Sequence, residues 1–169
     1  MLGTFVAGRY SGVITYPAGS PLSLGILEEG WNIRWQHKKD YINRTDAYGD
    51  TTIEAFHQGL DMWVSGVAKE WLSGVIKTIQ PFGGWAGTGA SNMALGTIGV
   101  ADTDNAGILV LTATAGTPAA TSPASVTFTY AIQDENDVDM LFGPRHRTMP
   151  FTLRIYPYYS SAIRFFSST

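Results

Sequence analysis

Apolar and polar residues alternate along two neighbouring segments of the chain, between Trp31 and Ser65. Strict alternation puts every second side chain on the same face of a β-strand. A polar stretch with several aspartates and a glycine separates the two segments. The pattern predicts a long β-hairpin over residues 31–65, with a polar loop over residues 40–52. The predicted apolar face consists of Trp31, Ile33, Trp35, Leu60, Met62 and Val64.

The positions of the apolar residues on the two arms predict the register in which the arms pair. Trp35 opposite Leu60 brings the apolar residues together, and the same register sets Arg34 opposite Asp61. A shift by one residue would set apolar side chains against polar ones. The opposite, polar face of the predicted hairpin consists of Asn32, Arg34, Gln36, Lys38 and Asp61.

The hydrophobic period changes after the hairpin. Apolar residues recur at helical spacing up to Pro81, which predicts an amphipathic helix over residues 67–80. The glycine-rich residues 83–105 are expected to form a flexible loop. Later alternating segments predict further strands, at residues 108–114, 125–131, 150–158 and 162–166. The sum is a single mostly β domain over residues 1–169, a β-sandwich or open barrel with one flanking helix.

Charge is scarce in this chain. Charged residues make up 15% of the sequence, against about 25% in typical soluble domains. A subunit that buries much of its surface against neighbours needs less charge than a monomer, so the deficit favours an oligomer. The net charge of −3 provides no basic surface for tight nucleic-acid binding. We expect no signal peptide and no membrane segment, because no long apolar run occurs.

Motifs that would indicate catalysis are missing. The chain has no HExxH, no GxSxG and no P-loop lysine in its glycine-rich stretch, and it contains no cysteine. His37 and His57 could approach each other across the hairpin, but we interpret both as ordinary strand histidines. The acidic stretch 134–139 does not match a calcium-binding loop. We therefore expect no enzyme activity, no catalytic residue, no cofactor and no metal.

A small basic cluster follows in the sequence after the acidic stretch. Arg145 and Arg147 flank His146, and in an acidic chain they would suit the acidic residues of a neighbouring copy. The candidate subunit contacts are Arg145, Arg147, Asp134 and Asp137.

Three features together resemble the tail tube proteins of long-tailed bacteriophages, the major tail protein family. They are the long hairpin at 31–65, the amphipathic helix at 67–80 and the late segment LFGPRHRTMPFTLRIYP at 141–157. In that family a β-sandwich flanked by a helix forms hexameric rings. The rings stack into a tube through which DNA passes.

The resemblance implies a role for each part of the hairpin. The polar face (Asn32, Arg34, Gln36, Lys38 and Asp61) would line the lumen. The loop would contact an adjacent ring through Asp40, Tyr41, Asn43, Arg44, Asp46, Tyr48 and Asp50. The implied partners are further copies of the chain, other tail proteins and DNA in transit. The implied location is the virion tail, assembled in the host cytoplasm.

The lumen of such a tube must let DNA slide. Six copies at −3 each give −18 per ring (6 × −3), which would not retain DNA. Arg34 and Lys38 oppose this unless Asp61 or Glu54 offsets them. Other functions stay open at this point: a tail terminator, a neck protein, a capsid decoration protein, or a β-sandwich module that binds sugar or peptide.

Overall fold

A computed structural model provides the structure of the protein. It describes residues 10–17, 19–25, 27–44, 51–70, 72–79, 84–86, 92–94, 98–114, 123–134, 141–142, 147–160 and 162–168.

The protein is mostly β, as the alternating segments predict. The strands are β1 Tyr10–Thr15, β2 Leu22–Ser23, β3 Asn32–Arg44, β4 Thr51–Ala68, β5 Gly84–Ala86, β6 Asn92–Ala94, β7 Gly107–Ala113, β8 Ser125–Gln133, β9 Leu141–Phe142, β10 Arg147–Tyr156, β11 Tyr158–Ser160, β12 Ala162–Arg164 and β13 Ser167–Ser168. The helices are α1 Ser73–Ile79 and α2 Asp102–Asn105.

One antiparallel sheet holds most of the strands. Its order is β2-β1-β7-β8-β10-β4-β3, with β13 paired to β8 and β9 paired to β10. Two small hairpins, β5–β6 and β11–β12, lie outside it. The hairpin predicted between residues 31 and 65 is confirmed as β3–β4 and forms one end of the sheet.

The sheet curls so that strands far apart in its order come together. Leu27, just after β2, forms a β-bridge with Ala68 of β4, and the Glu28 amide donates to the Val67 carbonyl at 2.8 Å. The Trp31 indole donates to the Tyr10 carbonyl at 3.1 Å. The curl encloses a single apolar core.

Helix α1 covers this core. Val75, Ile76 and Ile79 are buried against residues of the sheet, which confirms the apolar side of the predicted helix. The helix is shorter than the predicted range 67–80, because β4 continues to Ala68. The sheet residues of the core are Ile14, Met62, Val64, Ala68, Leu109, Leu111, Phe128, Ala131, Met149, Phe151, Leu153 and Ile155.

The predicted pairing of the hairpin arms is wrong by two residues. Arg34 pairs with Trp63 rather than Asp61, and Trp35 pairs with Met62 rather than Leu60. The predicted register set Trp31 on the strand, but β3 begins at Asn32, and the Trp31 indole packs edge-on against Phe151 with 5.6 Å between ring centroids. Since the shift is an even number of residues, each side chain stays on its predicted face.

Two predicted loops contain regular structure. The proposed loop over residues 40–52 is strand at both ends, because β3 runs to Arg44 and β4 begins at Thr51. β-Branched and aromatic residues on both arms favour this extension. The predicted flexible loop over 83–105 holds β5, β6 and α2.

Candidate assembly surface

The sheet has one face on the core and one face turned away from it, which we call the open face. Its residues on β3, β4 and β10 follow from the register: Asn32, Arg34, Gln36, Lys38, Asp61, Trp63, Ser65, Thr152, Arg154 and Tyr156. All five residues of the predicted lumen surface therefore share this face, which confirms their grouping.

Acidic groups pair with the cations of the open face. The Lys38 ammonium lies 2.7 Å from one Asp61 oxygen, and the Arg154 guanidinium lies 3.5 Å from the other. Arg154 also lies 3.9 Å from an Asp134 oxygen. Asp61 thus offsets Lys38, the charge that counted against a DNA-facing surface. Exposed ion pairs of this kind stabilise the fold only slightly, so their main effect is on the surface potential.

Trp63 lies at the centre of this network. Its indole N–H donates to Asp134 at 2.7 Å. The Arg34 guanidinium lies 5.4 Å from the centroid of the ring, and that of Arg154 lies 6.0 Å away. Cation–π contacts at exposed sites are worth about 0.5–1 kcal/mol. Both arginines therefore lie over the Trp63 ring while their side chains stay partly exposed to solvent.

Helix α2 is tied to the open face next to this network. The Tyr156 hydroxyl donates to the Asp102 carboxylate at 2.7 Å. Burial, followed by the hydrogen bond to Asp102, raises the pKa of Tyr156 to about 12. Helix α2 also contacts β8, whose Ile132 is fully buried. No sequence motif indicates this contact, because its residues lie more than fifty positions apart.

Part of the β3–β4 hairpin extends beyond the body of the sheet. Strand β10 pairs with β4 only from Met62 to Ala68. Residues 36–44 and 51–61 therefore pair only with each other within the part of the chain that the structure describes. We call these two stretches the distal ribbon. At about 3.3 Å per residue it extends roughly 30 Å, and an isolated two-stranded hairpin is at best marginally stable in water.

The distal ribbon exposes large apolar side chains. Tyr41 is 58% exposed, Phe56 52% and Ile42 44%. From the register, Tyr41 lies on the core-side face of the ribbon, whereas Ile42 and Phe56 lie on its open-side face. The ribbon therefore exposes large apolar side chains on both of its faces.

The predicted loop residues divide between the ribbon and undescribed positions. Asp40, Tyr41, Asn43 and Arg44 lie on β3, not in a loop. Asp46, Tyr48 and Asp50 lie outside the described residues.

The predicted subunit-contact residues also take different positions. Asp134 binds Trp63 and Arg154 of its own chain. Arg147 begins β10. Arg145 and Asp137 lie outside the described residues.

The two histidines of the hairpin meet on the ribbon. The ring centroids of His37 and His57 are 5.5 Å apart and the rings meet edge to face, so the approach expected from the sequence is confirmed. Among the described residues, no group of three or more histidine, aspartate, glutamate or cysteine side chains converges on one point.

No protein-family model and no curated protein sequence matches this chain. In the described residues no helix is both long enough and apolar enough to cross a lipid bilayer.

Proposed function

We propose that the protein is a virion structural subunit that assembles into stacked hexameric rings and forms the tail tube of a long-tailed bacteriophage. The distal ribbon is the observation that carries this proposal. It pairs with no third strand among the described residues, and it exposes large apolar side chains on both of its faces.

Contacts from neighbouring copies would cover the exposed apolar side chains of the ribbon. Tyr41 on one face and Phe56 on the other require cover from two directions, which a ribbon held between subunits of adjacent rings receives. The outer edge of β3 is paired by no described residue of the chain. Pairing this 13-residue edge with a neighbouring copy would satisfy its backbone groups and remove an aggregation hazard.

The open face suits a channel for DNA. Its cations Lys38 and Arg154 are paired with carboxylates, and Arg34 lies against the Trp63 ring. Each cation that contacts phosphate strengthens DNA binding, so pairing Lys38 and Arg154 with carboxylates of the same chain lets DNA slide. The negative charge of the whole ring acts in the same direction. The partners are further copies of the chain, other tail proteins and DNA in transit.

A pair of substitutions in the ribbon tests this proposal. Tyr41→Ser with Phe56→Ser removes one exposed apolar group from each face of the ribbon. We expect the variant to stay folded by circular dichroism and to sediment as free subunits, whereas the native chain sediments as large assemblies. Tyr159→Ser is the matched control, because Tyr159 is 81% exposed but lies on β11, which is not part of the ribbon.

Three outcomes of the sedimentation experiment are informative. Native-like assembly by the double variant would contradict the role of the ribbon. Assembly that stops at a single ring would favour a tail terminator or neck protein. A native chain that stays monomeric would contradict every assembly function and leave the binding-module alternative.

A further inference from the structure

We propose that His37 and His57 form a binding site for a divalent transition-metal ion such as Zn²⁺, Ni²⁺ or Cu²⁺. Each imidazole would supply one ring nitrogen, and water would fill the remaining positions. The proposal does not depend on the tail-tube function, because it rests on the geometry of one hairpin.

A β-bulge places the two rings on the same face. Lys38 pairs with Gly59, but Lys39 pairs with His57, so Gln58 is an extra residue on β4. In a regular strand without this bulge, Gln58 would lie opposite Lys39 and His57 would lie on the other face of the ribbon. Gly59 has a φ of +150°, which residues with a side chain rarely adopt. A glycine at this position therefore accommodates the bulge.

The separation of the rings fits a shared ion. Zinc–nitrogen bonds are about 2.0–2.1 Å long, so two imidazoles on one tetrahedral ion have ring centroids roughly 5 Å apart. The observed distance is 5.5 Å. The χ2 torsion of histidine is broad, and both side chains are exposed. Each ring can therefore turn to direct a nitrogen at a common point.

The surroundings of the pair determine which ions it can hold. Imidazole ligands suit zinc, copper and nickel rather than magnesium or calcium. Lys39, opposite His57 on the same face, is the nearest cation by register. Its ammonium is on a flexible, exposed side chain, so it can turn away into solvent. Lys38 and Asp61 pair with each other on the other face.

A bound ion would connect the two strands of the distal ribbon across its bulge. The ribbon has no third strand to support it among the described residues. Because the unfolded hairpin does not hold the two imidazoles together, the ion binds the folded ribbon preferentially and stabilises it.

Titration of the full-length chain with NiCl₂ and with ZnCl₂ in a calorimeter tests the site. We expect no more than one ion per chain, bound with micromolar affinity. His37→Gln and His57→Gln should each weaken binding at least tenfold, and the double variant should lose little more, since both imidazoles act together. His146→Gln is the control, because it removes the third histidine and leaves the pair intact.

Three results would overturn the proposal. These are native-like affinity in either His37→Gln or His57→Gln, loss of binding in His146→Gln, and native binding that does not saturate below millimolar metal. Amide hydrogen exchange provides a second readout. Saturating Zn²⁺ should slow exchange in residues 36–44 and 51–61 of the native chain and not of the two variants. Unchanged exchange in a metal-loaded native chain would contradict the cross-strand position of the ion.

Discussion

Gly74 is a glycine within a helix because no side chain fits there. A Cβ atom at this position would lie 2.3 Å from the backbone oxygen of Ser23, so the glycine allows α1 to approach β2. Gly12 has the same role in the sheet, where a Cβ atom would lie 2.0 Å from the Trp31 ring. The sequence shows both glycines, but their reason is visible only when the packed neighbours are known.

Gly74→Ala should therefore destabilise the protein. Helix propensity alone predicts a gain of about 1 kcal/mol. The contact with a backbone oxygen that cannot turn away outweighs this gain, and we expect a net loss of about 1–3 kcal/mol in the free energy of unfolding. Urea unfolding measures the change, with Lys77→Ala on the same helix as control. A more stable Gly74→Ala variant would contradict the tight packing of α1 on β2.

The titration of Tyr16 predicts how the free energy of unfolding changes at alkaline pH. Burial raises its pKa to about 12, and the adjacent Thr78 hydroxyl offsets this only in part. Because the folded-state pKa lies above the ordinary value of 10, the stabilising effect is complete below pH 10 and is lost as the pH rises towards 12. The loss attributable to this group reaches about 1 kcal/mol at pH 11.

Tyr16→Phe removes this titration. We expect urea unfolding at pH 8 to differ little between the native chain and the variant, and the variant to lose less stability between pH 8 and pH 11. Tyr156 titrates in the same range and is still present in both proteins, so the comparison isolates Tyr16. Equal losses in the two proteins would contradict the raised pKa of Tyr16.

At the scale of elements, the β3–β4 hairpin shows what local pattern can and cannot predict. Alternation identifies the strands and their faces, because the two-residue period is a local property. The register was wrong because Trp31 is drawn into the core by Tyr10 and Phe151, which are distant in sequence. The strand ends were wrong because two register shifts, after Lys38 and after Ile42, interrupt the period.

The open-face network was only partly predictable, because some of its residues are distant in sequence from the hairpin. Arg34, Lys38 and Asp61 lie on one hairpin, and alternation groups them. Arg154 and Asp134 reach them only through the pairing of β10 with β4 and β8.

Deleting Gln58 tests the importance of the bulge for the ribbon. The deletion removes the extra residue and leaves His57 opposite Lys39, so residues 51–57 stay on their faces. Phe56 therefore stays on the open-side face. We expect the body to stay folded, because its core lies beyond the deletion, and assembly measured by light scattering to stay within about twofold of that of the native chain.

Gln58→Ala is the control for this deletion, because it keeps the chain length and should assemble normally. Loss of assembly in the Gln58 deletion but not in Gln58→Ala would contradict the account in which the faces of the ribbon, rather than the bulge itself, determine assembly.

At the scale of the whole molecule, a curled antiparallel sheet presents a two-stranded ribbon with exposed apolar side chains and a polar face on which Lys38 and Arg154 are paired with carboxylates. Asp61 contacts both Lys38 and Arg154. Asp61→Asn therefore releases Lys38 and leaves Arg154 only its longer contact with Asp134, on the proposed lumen surface of every subunit. We expect the assembled variant to bind DNA more tightly, with an affinity that falls more steeply with salt.

Fluorescence anisotropy with labelled duplex DNA at several salt concentrations measures this effect. Glu70→Gln is the control, because it changes the net charge equally at a position beyond the end of β4. Equal DNA affinities of the two variants would contradict the assignment of the open face to the lumen.

Electron microscopy of the purified full-length chain tests the central claim most directly. The account predicts hollow tubes of uniform diameter, built from stacked rings, with the distal ribbon between neighbouring subunits. A chain that stays monomeric at the concentrations where tail proteins assemble would contradict it.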